Sequence, residues 1–216
     1  MGTIPKIWEN EYVKTAIMVI LIIVVVFGFW YGSQLVLNTQ YPALAVASGS
    51  MCTLPGSYCD GWSHPFKPTL HVGDLIIVQG VDPEEINAAN YPDGDIIVFH
   101  RSYAGDDLIV HRAIQKQTKD NKTYFRTKGD GNGSADDHRG EDTWNGMISE
   151  DLVVGKVILR VPWIGHVALF LHNSSGIFII IILIVILVLV EFVIPMFSSE
   201  KAEVKQAEEA EKIGET

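Results

Sequence analysis

Pro92-Asp93-Gly94-Asp95-Ile96-Ile97-Val98-Phe99 is a turn that hands directly into a short β-branched run. Proline presets φ for a turn, aspartate and glycine supply local hydrogen bonding and a permissive backbone, and Ile, Val and Phe suit a pleated surface. The same device recurs on either side. His71-Val72-Gly73-Asp74 leads into Leu75-Ile76-Ile77-Val78, and Leu108-Ile109-Val110, Thr123-Tyr124-Phe125-Arg126 and Val153 to Val161 are further runs of this kind. Gly, Asp or Pro punctuates the intervals. Between residues 40 and 160 only Pro83 to Ala89 carries a helical signal, with Asp82 placed as N-cap and Pro83-Glu84-Glu85 as the first turn. The pattern predicts a mainly β, barrel-like domain.

Two apolar segments flank it. From Thr15 to Leu37 no ionisable side chain other than Tyr31 occurs, enough chain to cross a hydrocarbon core of roughly 30 Å. Trp30 and Tyr31 stand near its far end, where amphipathic rings favour the interface. The second segment runs from Ile177 to Val190, meets Glu191, and resumes to Phe197. The organisation expected is therefore a cytoplasmic N-terminus (1–14), a first transmembrane helix (15–37), an extracytoplasmic β domain (38–176), a second transmembrane helix (177–197) and a charged cytoplasmic tail (198–216). Small residues at Ala43-Leu44-Ala45 and Ala45-Val46-Ala47 resemble a signal-peptide cleavage site. The apolar run is longer than a leader's, however, so the segment reads as a retained anchor with Leu44 to Ala47 as the first strand.

The formal charge of -10 argues against a nucleic-acid partner, because phosphate binding wants a basic face. From Glu200 to Thr216 six Glu face three Lys and no aromatic residue occurs, the composition of a solvated tail. Nothing in the chain calls for a cofactor. The cysteines, Cys52 and Cys59, lie close together. They are open to three readings: one disulfide, free thiols, or a metal site with Asp60 and His64.

The chemistry centres on Ser48-Gly49-Ser50-Met51, just beyond the first apolar segment. A serine hydroxyl needs a base within hydrogen-bond reach and donors aimed at the oxyanion. Ile109-Val110-His111-Arg112 supplies an imidazole at the end of an apolar run, and Lys128-Gly129-Asp130 a turn carboxylate. His100 is the rival to His111, while His71, His138, His166 and His172 read as strand-flanking or loop residues.

Ser48-Gly49-Ser50-Met51, Gly94-Asp95-Ile96-Ile97-Val98-Phe99, Ile109-Val110-His111-Arg112 and Lys128-Gly129-Asp130 through Asp136 resemble, in order, the successive boxes of type I signal peptidases. The likeness is to the archaeal and endoplasmic-reticulum branch, where histidine replaces the bacterial lysine base, and it extends to about Gly165. The resemblance implies a membrane-bound serine endopeptidase that removes signal peptides from preproteins, cutting after small residues, at the plasma membrane and beside the secretion translocon. It assigns Ser50 as nucleophile, His111 as general base, and Asp130 and Asp136 as the two acids, with Asp137 able to exchange with Asp136. Ser48 joins the Ser50 N–H in the oxyanion hole, and Arg112 and Asp95 are structural. The alternative class is a non-catalytic, membrane-tethered β module or accessory subunit presenting substrate to a partner. One departure stands out. The family runs from Ser-Met through one residue into Pro-Thr. Here Lys67-Pro68-Thr69 supplies that continuation only after an insertion, Cys52 to Phe66, that carries both cysteines.

Overall fold

The computed structural model describes residues 11–101 and 107–189. The first ten residues, residues 102–106, the part of the second apolar segment beyond Leu189 and the acidic tail therefore lie outside the described residues. The chain divides into two units, Met1–His166 and Val167–Thr216.

The first unit begins with α1 (Glu11–Val36), followed by eight strands: β1 (Ala43–Ala45), β2 (Leu75–Gln79), β3 (Ile96–His100), β4 (Leu108–Lys119), β5 (Lys122–Lys128), β6 (Thr143–Trp144), β7 (Met147–Ser149) and β8 (Val153–Val161). All belong to one sheet in the order β1-β2-β8-β3-β4-β5-β7-β6. Every pairing is antiparallel. Among the described residues β1 and β6 remain its two ends, so no barrel closes. Register shifts interrupt the β2–β8, β3–β8 and β4–β5 ladders. Such bulges bend and twist a sheet.

The run Ile96-Ile97-Val98-Phe99 shows why it is apolar at every position. Strand side chains alternate between faces. Val98 packs with Val46, Met51, Leu70, Ile76 and Val78, with Ile96 beside them. Ile97 and Phe99 pack with Ile86, Ala113, Phe125 and Ile148. β3 is thus covered on both faces, which a strand can be only if neither face is polar. In β5 only the inner positions Thr123, Phe125 and Thr127 are buried, giving the simple alternation of a strand with one wet face.

Three expectations need correction. The helix over Pro83–Ala89 is a single 3₁₀ turn, Pro83–Glu85, and the Asp82 side chain makes no cap hydrogen bond. Lys116 Nζ instead donates to the carbonyls of Glu84 and Ile86 at 3.0 Å each and helps satisfy the turn. The first strand is Ala43–Ala45, which starts one residue and ends two residues before the expected Leu44–Ala47, although the Val46 N–H still bonds the Asp74 carbonyl at 2.9 Å. The short run at Leu108 is the start of a 12-residue strand whose second half is polar, and the β6–β7 hairpin was too short to leave a pattern.

α1 displays apolar side chains on all sides, from Ile20 and Leu21 to Phe29 and Leu35, and none of its membrane-length stretch, Val13–Val36, is buried within the protein. A helix apolar all round belongs in a core or in lipid, and this one is not in a core. Residues Ile164–His172 form α2, the first three of them in the first unit. In the second unit α3 spans Ser174–Val188, 15 residues. At 1.5 Å per residue that is about 22 Å, short of a full span. Expected second-helix residues 190–197 are outside the described residues.

Candidate active site

β1 and the segment after it carry Ser50 into place. The ladder to β2 is prolonged by the Val46 bonds to Asp74 and Gly73, and the chain then turns, with the Cys52 N–H donating to the Gly49 carbonyl at 2.9 Å. Met51, 1% exposed, plugs the core beneath that turn and leaves Ser50 at the surface of a cleft. Burying a methionine side chain stabilises by about 2 kcal/mol, and here it fixes which way the neighbouring serine faces.

The loop after β5 packs against the same turn. The Gly131 N–H donates to the Ser50 carbonyl at 2.9 Å. A Cβ at Gly129 or Gly131 would collide with the carbonyl oxygens of Ser50 and Cys52. The two glycines around Asp130 are therefore needed for backbone approach.

His111 lies on β4, opposite Ile97 of β3, and is 9% exposed. Its Nε2 is 3.0 Å from Ser50 Oγ, and its Nδ1 is 2.6 Å from Asp136 Oδ2. Asp136 is held by its own N–H to the Thr127 carbonyl, 2.9 Å, and by the Thr127 hydroxyl, 2.6 Å from Oδ2. Burial works to raise the Asp136 pKa, but hydrogen bonds from His111 and Thr127 outweigh it and hold the carboxyl below its ordinary range. The site thus contains a hydroxyl, an imidazole and an ionised carboxylate in one line, the arrangement by which a serine is activated. Ser48 Oγ stands 3.3 Å from Ser50 Oγ.

Asp130 is not in that line. It forms a two-pronged pair with Arg112, Nε to Oδ1 at 2.7 Å and Nη2 to Oδ2 at 2.5 Å, with both side chains buried. Arg112 also donates to the carbonyls of Pro92 and Gly94, and its guanidinium lies 5.3 Å from the Tyr91 ring centre. Asp130 and Arg112 together tie the acid loop to the turn before β3. Asp95, next to that turn, accepts from the Asn87 N–H at 2.9 Å and faces Lys156 at 3.5 Å. Asp137 is exposed and paired with Arg139 at 2.8 Å. His100 lies elsewhere, edge-on to Tyr41 at 5.9 Å, in a cavity of about 670 Å³ near the end of α1.

Cys52 and Cys59 are joined by a disulfide. The bridge takes both sulfurs that a metal reading of Cys52, Cys59, Asp60 and His64 requires. The insertion is pinned at its far end too. Thr69 Oγ1 donates to the Met51 carbonyl at 2.7 Å and accepts from the Thr53 N–H at 3.1 Å, so Pro68-Thr69 meets the Ser50 turn despite the inserted residues. Arg160 donates to the Pro65 carbonyl at 2.7 Å, and Trp62 stacks on His166 with ring centres 4.3 Å apart.

A cleft of about 350 Å³ opens beside Ser50 and His111, lined by Ala45, Ala47, Ser48, Leu108 and Val110 among others. The sequence singled out nothing at Thr127, and His138 read only as a loop histidine. Thr127 Oγ1 is 2.8 Å from His138 Nε2, and neither residue belongs to a recognisable box. Burial lowers the His138 pKa, and the nearby Asp136 carboxylate only partly opposes it.

No family model matches the chain. It is similar to the signal peptidase complex catalytic subunit SEC11C of Homo sapiens, 27% identical over 174 residues that cover 80% of the chain and 79% of that protein. The SEC11C of Mus musculus is 30% identical over 146 residues, 67% of the chain and 64% of that protein. The similarity to SEC11 signal peptidase catalytic subunits thus runs at 27–30% identity over 67–80% of the chain. SEC11 of the fungus Metarhizium acridum gives 27% identity over 155 residues, 70% of the chain and 76% of that protein. Signal peptidase catalytic subunits are serine endopeptidases. In this chain a hydroxyl, an imidazole and a carboxylate meet at Ser50, His111 and Asp136, and an apolar helix long enough to cross a membrane precedes them.

Proposed function

We propose that the chain removes signal peptides from preproteins by a Ser–His–Asp mechanism. The observation that carries this reading is the line Ser50 Oγ, His111 Nε2, His111 Nδ1, Asp136 Oδ2, with separations of 3.0 and 2.6 Å. Ser50 attacks the scissile carbonyl while His111 takes its proton. Asp136 holds the Nδ1–H tautomer and stabilises the imidazolium. The Ser50 N–H and the Ser48 hydroxyl stabilise the oxyanion. His111 then returns its proton to the leaving amine, and water, activated by the same imidazole, hydrolyses the acyl-enzyme.

Substrate choice follows from the cleft. Val46 to Ser48 and Leu108 to Val110 bring strand-like backbone to its two sides, and an extended peptide between them would add main-chain hydrogen bonds. Ala45, Ala47, Leu108 and Val110 leave shallow apolar subsites, which favour small residues before the cut. α1 keeps the site at the surface where a signal peptide emerges. The wider setting is part of the same proposal: a multi-pass protein of the plasma membrane, residues 177–197 as its second span, the catalytic domain outside, and the secretion translocon as neighbour.

The test is reconstitution of the full chain in liposomes with a preprotein, the cut being mapped by mass spectrometry. Ser50→Ala and His111→Ala should abolish cleavage, and His100→Ala should retain it. Undiminished cleavage in either of the first two removes the mechanism and leaves a non-catalytic β module.

A further inference from the structure

We propose that His138 and Thr127 form a positioning layer behind Asp136, an ordered chain of donors that fixes how the carboxylate faces His111. The inference rests on the catalytic reading of Ser50, His111 and Asp136.

Proton counting gives the chain its direction. For His111 Nε2 to accept the Ser50 proton it must be bare, so the ring proton is on Nδ1 and points at Asp136 Oδ2, 2.6 Å away. An ionised carboxylate only accepts. The single proton of the Thr127 hydroxyl, also 2.6 Å from Oδ2, is therefore committed to Asp136. Thr127 Oγ1 is left only as an acceptor, and its remaining neighbour is His138 Nε2 at 2.8 Å. His138 must carry its proton on Nε2. The sequence of donors is then His138 to Thr127 to Asp136, meeting His111 from the opposite side.

Burial makes this chain matter. Thr127 is 0% exposed and the His138 side chain 10%, so water does not readily replace either partner. The His138 ring sits edge-on to Phe99 at 5.4 Å, and the same phenyl ring flanks His111 at 6.5 Å. The two imidazoles are thus placed by one core side chain. The His138 N–H also bonds the Gly146 carbonyl at 3.2 Å.

The charged surroundings of His138 are Asp136, His111, Arg126 and Asp137. Nε2 lies 3.8 Å from Asp136 Oδ2, near enough for an imidazolium to compete with His111 for the carboxylate. Burial opposes that charge, so near neutrality His138 acts as a neutral donor.

Removing the chain should move the base, as well as weaken the enzyme. Without the Thr127 hydrogen bond, more of the Asp136 charge is available to the His111 ring. The full-length chain in liposomes should be assayed for kcat, KM and the pH dependence of kcat/KM. Thr127→Val should lower kcat about tenfold at nearly constant KM, the effect of one lost hydrogen bond to a charged group, and His138→Phe, which frees the Thr127 hydroxyl from its donor, by no more than that. Both should shift the acid-limb inflection to higher pH, and the double variant should be no worse than Thr127→Val alone. Thr127→Ser should recover most of the loss. A merely structural role would lower the active fraction without moving the inflection. Wild-type kcat with an unmoved inflection, or losses that add in the double variant, would overturn the proposal. If His138→Phe does not fold, the Thr127→Val and Thr127→Ser pair decides alone. Ser50→Ala and His111→Ala belong in the same series: activity in those variants would defeat the catalytic reading, whereas their inactivity beside an unaffected Thr127→Val would defeat only the positioning layer.

Discussion

Asp130 and Asp136 occupy one loop and match one box, yet exchanging each for asparagine should produce opposite failures. Asp130 faces Arg112, with side chains 3% and 7% exposed and two hydrogen bonds between them. Asp130→Asn removes one charge and leaves a guanidinium buried without its counter-ion. Breaking a buried pair in this way costs about 3–5 kcal/mol. For a domain of this size that is a drop of roughly 10–20 °C in melting temperature. Turnover per folded molecule, measured well below the melt, should fall by less than about tenfold, because Asp130 touches none of the reacting groups. Asp136→Asn should do the reverse. The amide fits the same space, but it no longer stabilises the imidazolium and admits the wrong histidine tautomer, for a loss of up to about 10⁴-fold in kcat with little change in melting. The assay pairs a thermal melt of each variant in detergent with initial rates of preprotein cleavage in liposomes. An Asp130→Asn protein that melts like wild type and has lost a thousandfold of its turnover would refute this division of labour.

Three further outcomes are expected. Ser48→Ala should lower turnover by roughly 100-fold if its hydroxyl serves the oxyanion, and a full-rate variant removes it from the mechanism. Cys52→Ser should destabilise the domain by about 2.5 kcal/mol, the loop-closure value for so short a loop, and reductant should lower the wild-type melting temperature but leave that of the variant unchanged. The melting temperature should decline as pH falls below about 6.5. His71 and His138 are both pushed below 6.5 in the folded state by burial, so the unfolded chain takes up protons first, and the stability present above that value is lost on acidification. His71→Gln should flatten the slope between pH 6.5 and 5, and an unchanged slope would exclude His71 as a contributor.

How much of this was legible beforehand depends on the range of each interaction. Strand runs are local, and β2, β3, β5 and β8 were readable from apolar residues and turn chemistry. The β6–β7 hairpin has two and three residues per strand, too few for a period to register. The 3₁₀ turn at Pro83–Glu85 looked like a helix start, because a proline and two acids favour a first turn whether or not a second follows. Ser50 and His111 stood out as candidates because each stands in a recognisable box, and the fold brings the two side chains within 3.0 Å.

The boxes along the chain by themselves gave the resemblance to signal peptidases and singled out Ser50 and His111 as candidates, and the apolar run gave the membrane-length helix. They did not say which acid stands beside His111, nor that among the described residues the sheet stays open, nor that His138 lies behind Asp136. The tertiary structure decided these for a geometric reason. His111 and Arg112 are consecutive on β4, and consecutive strand residues point to opposite faces. The loop after β5 places one carboxylate against each, so Asp136 meets the imidazole and Asp130 the guanidinium. Five residues of loop lie between the two acids in sequence, and only the path of that loop across β4 and β5 assigns them their partners.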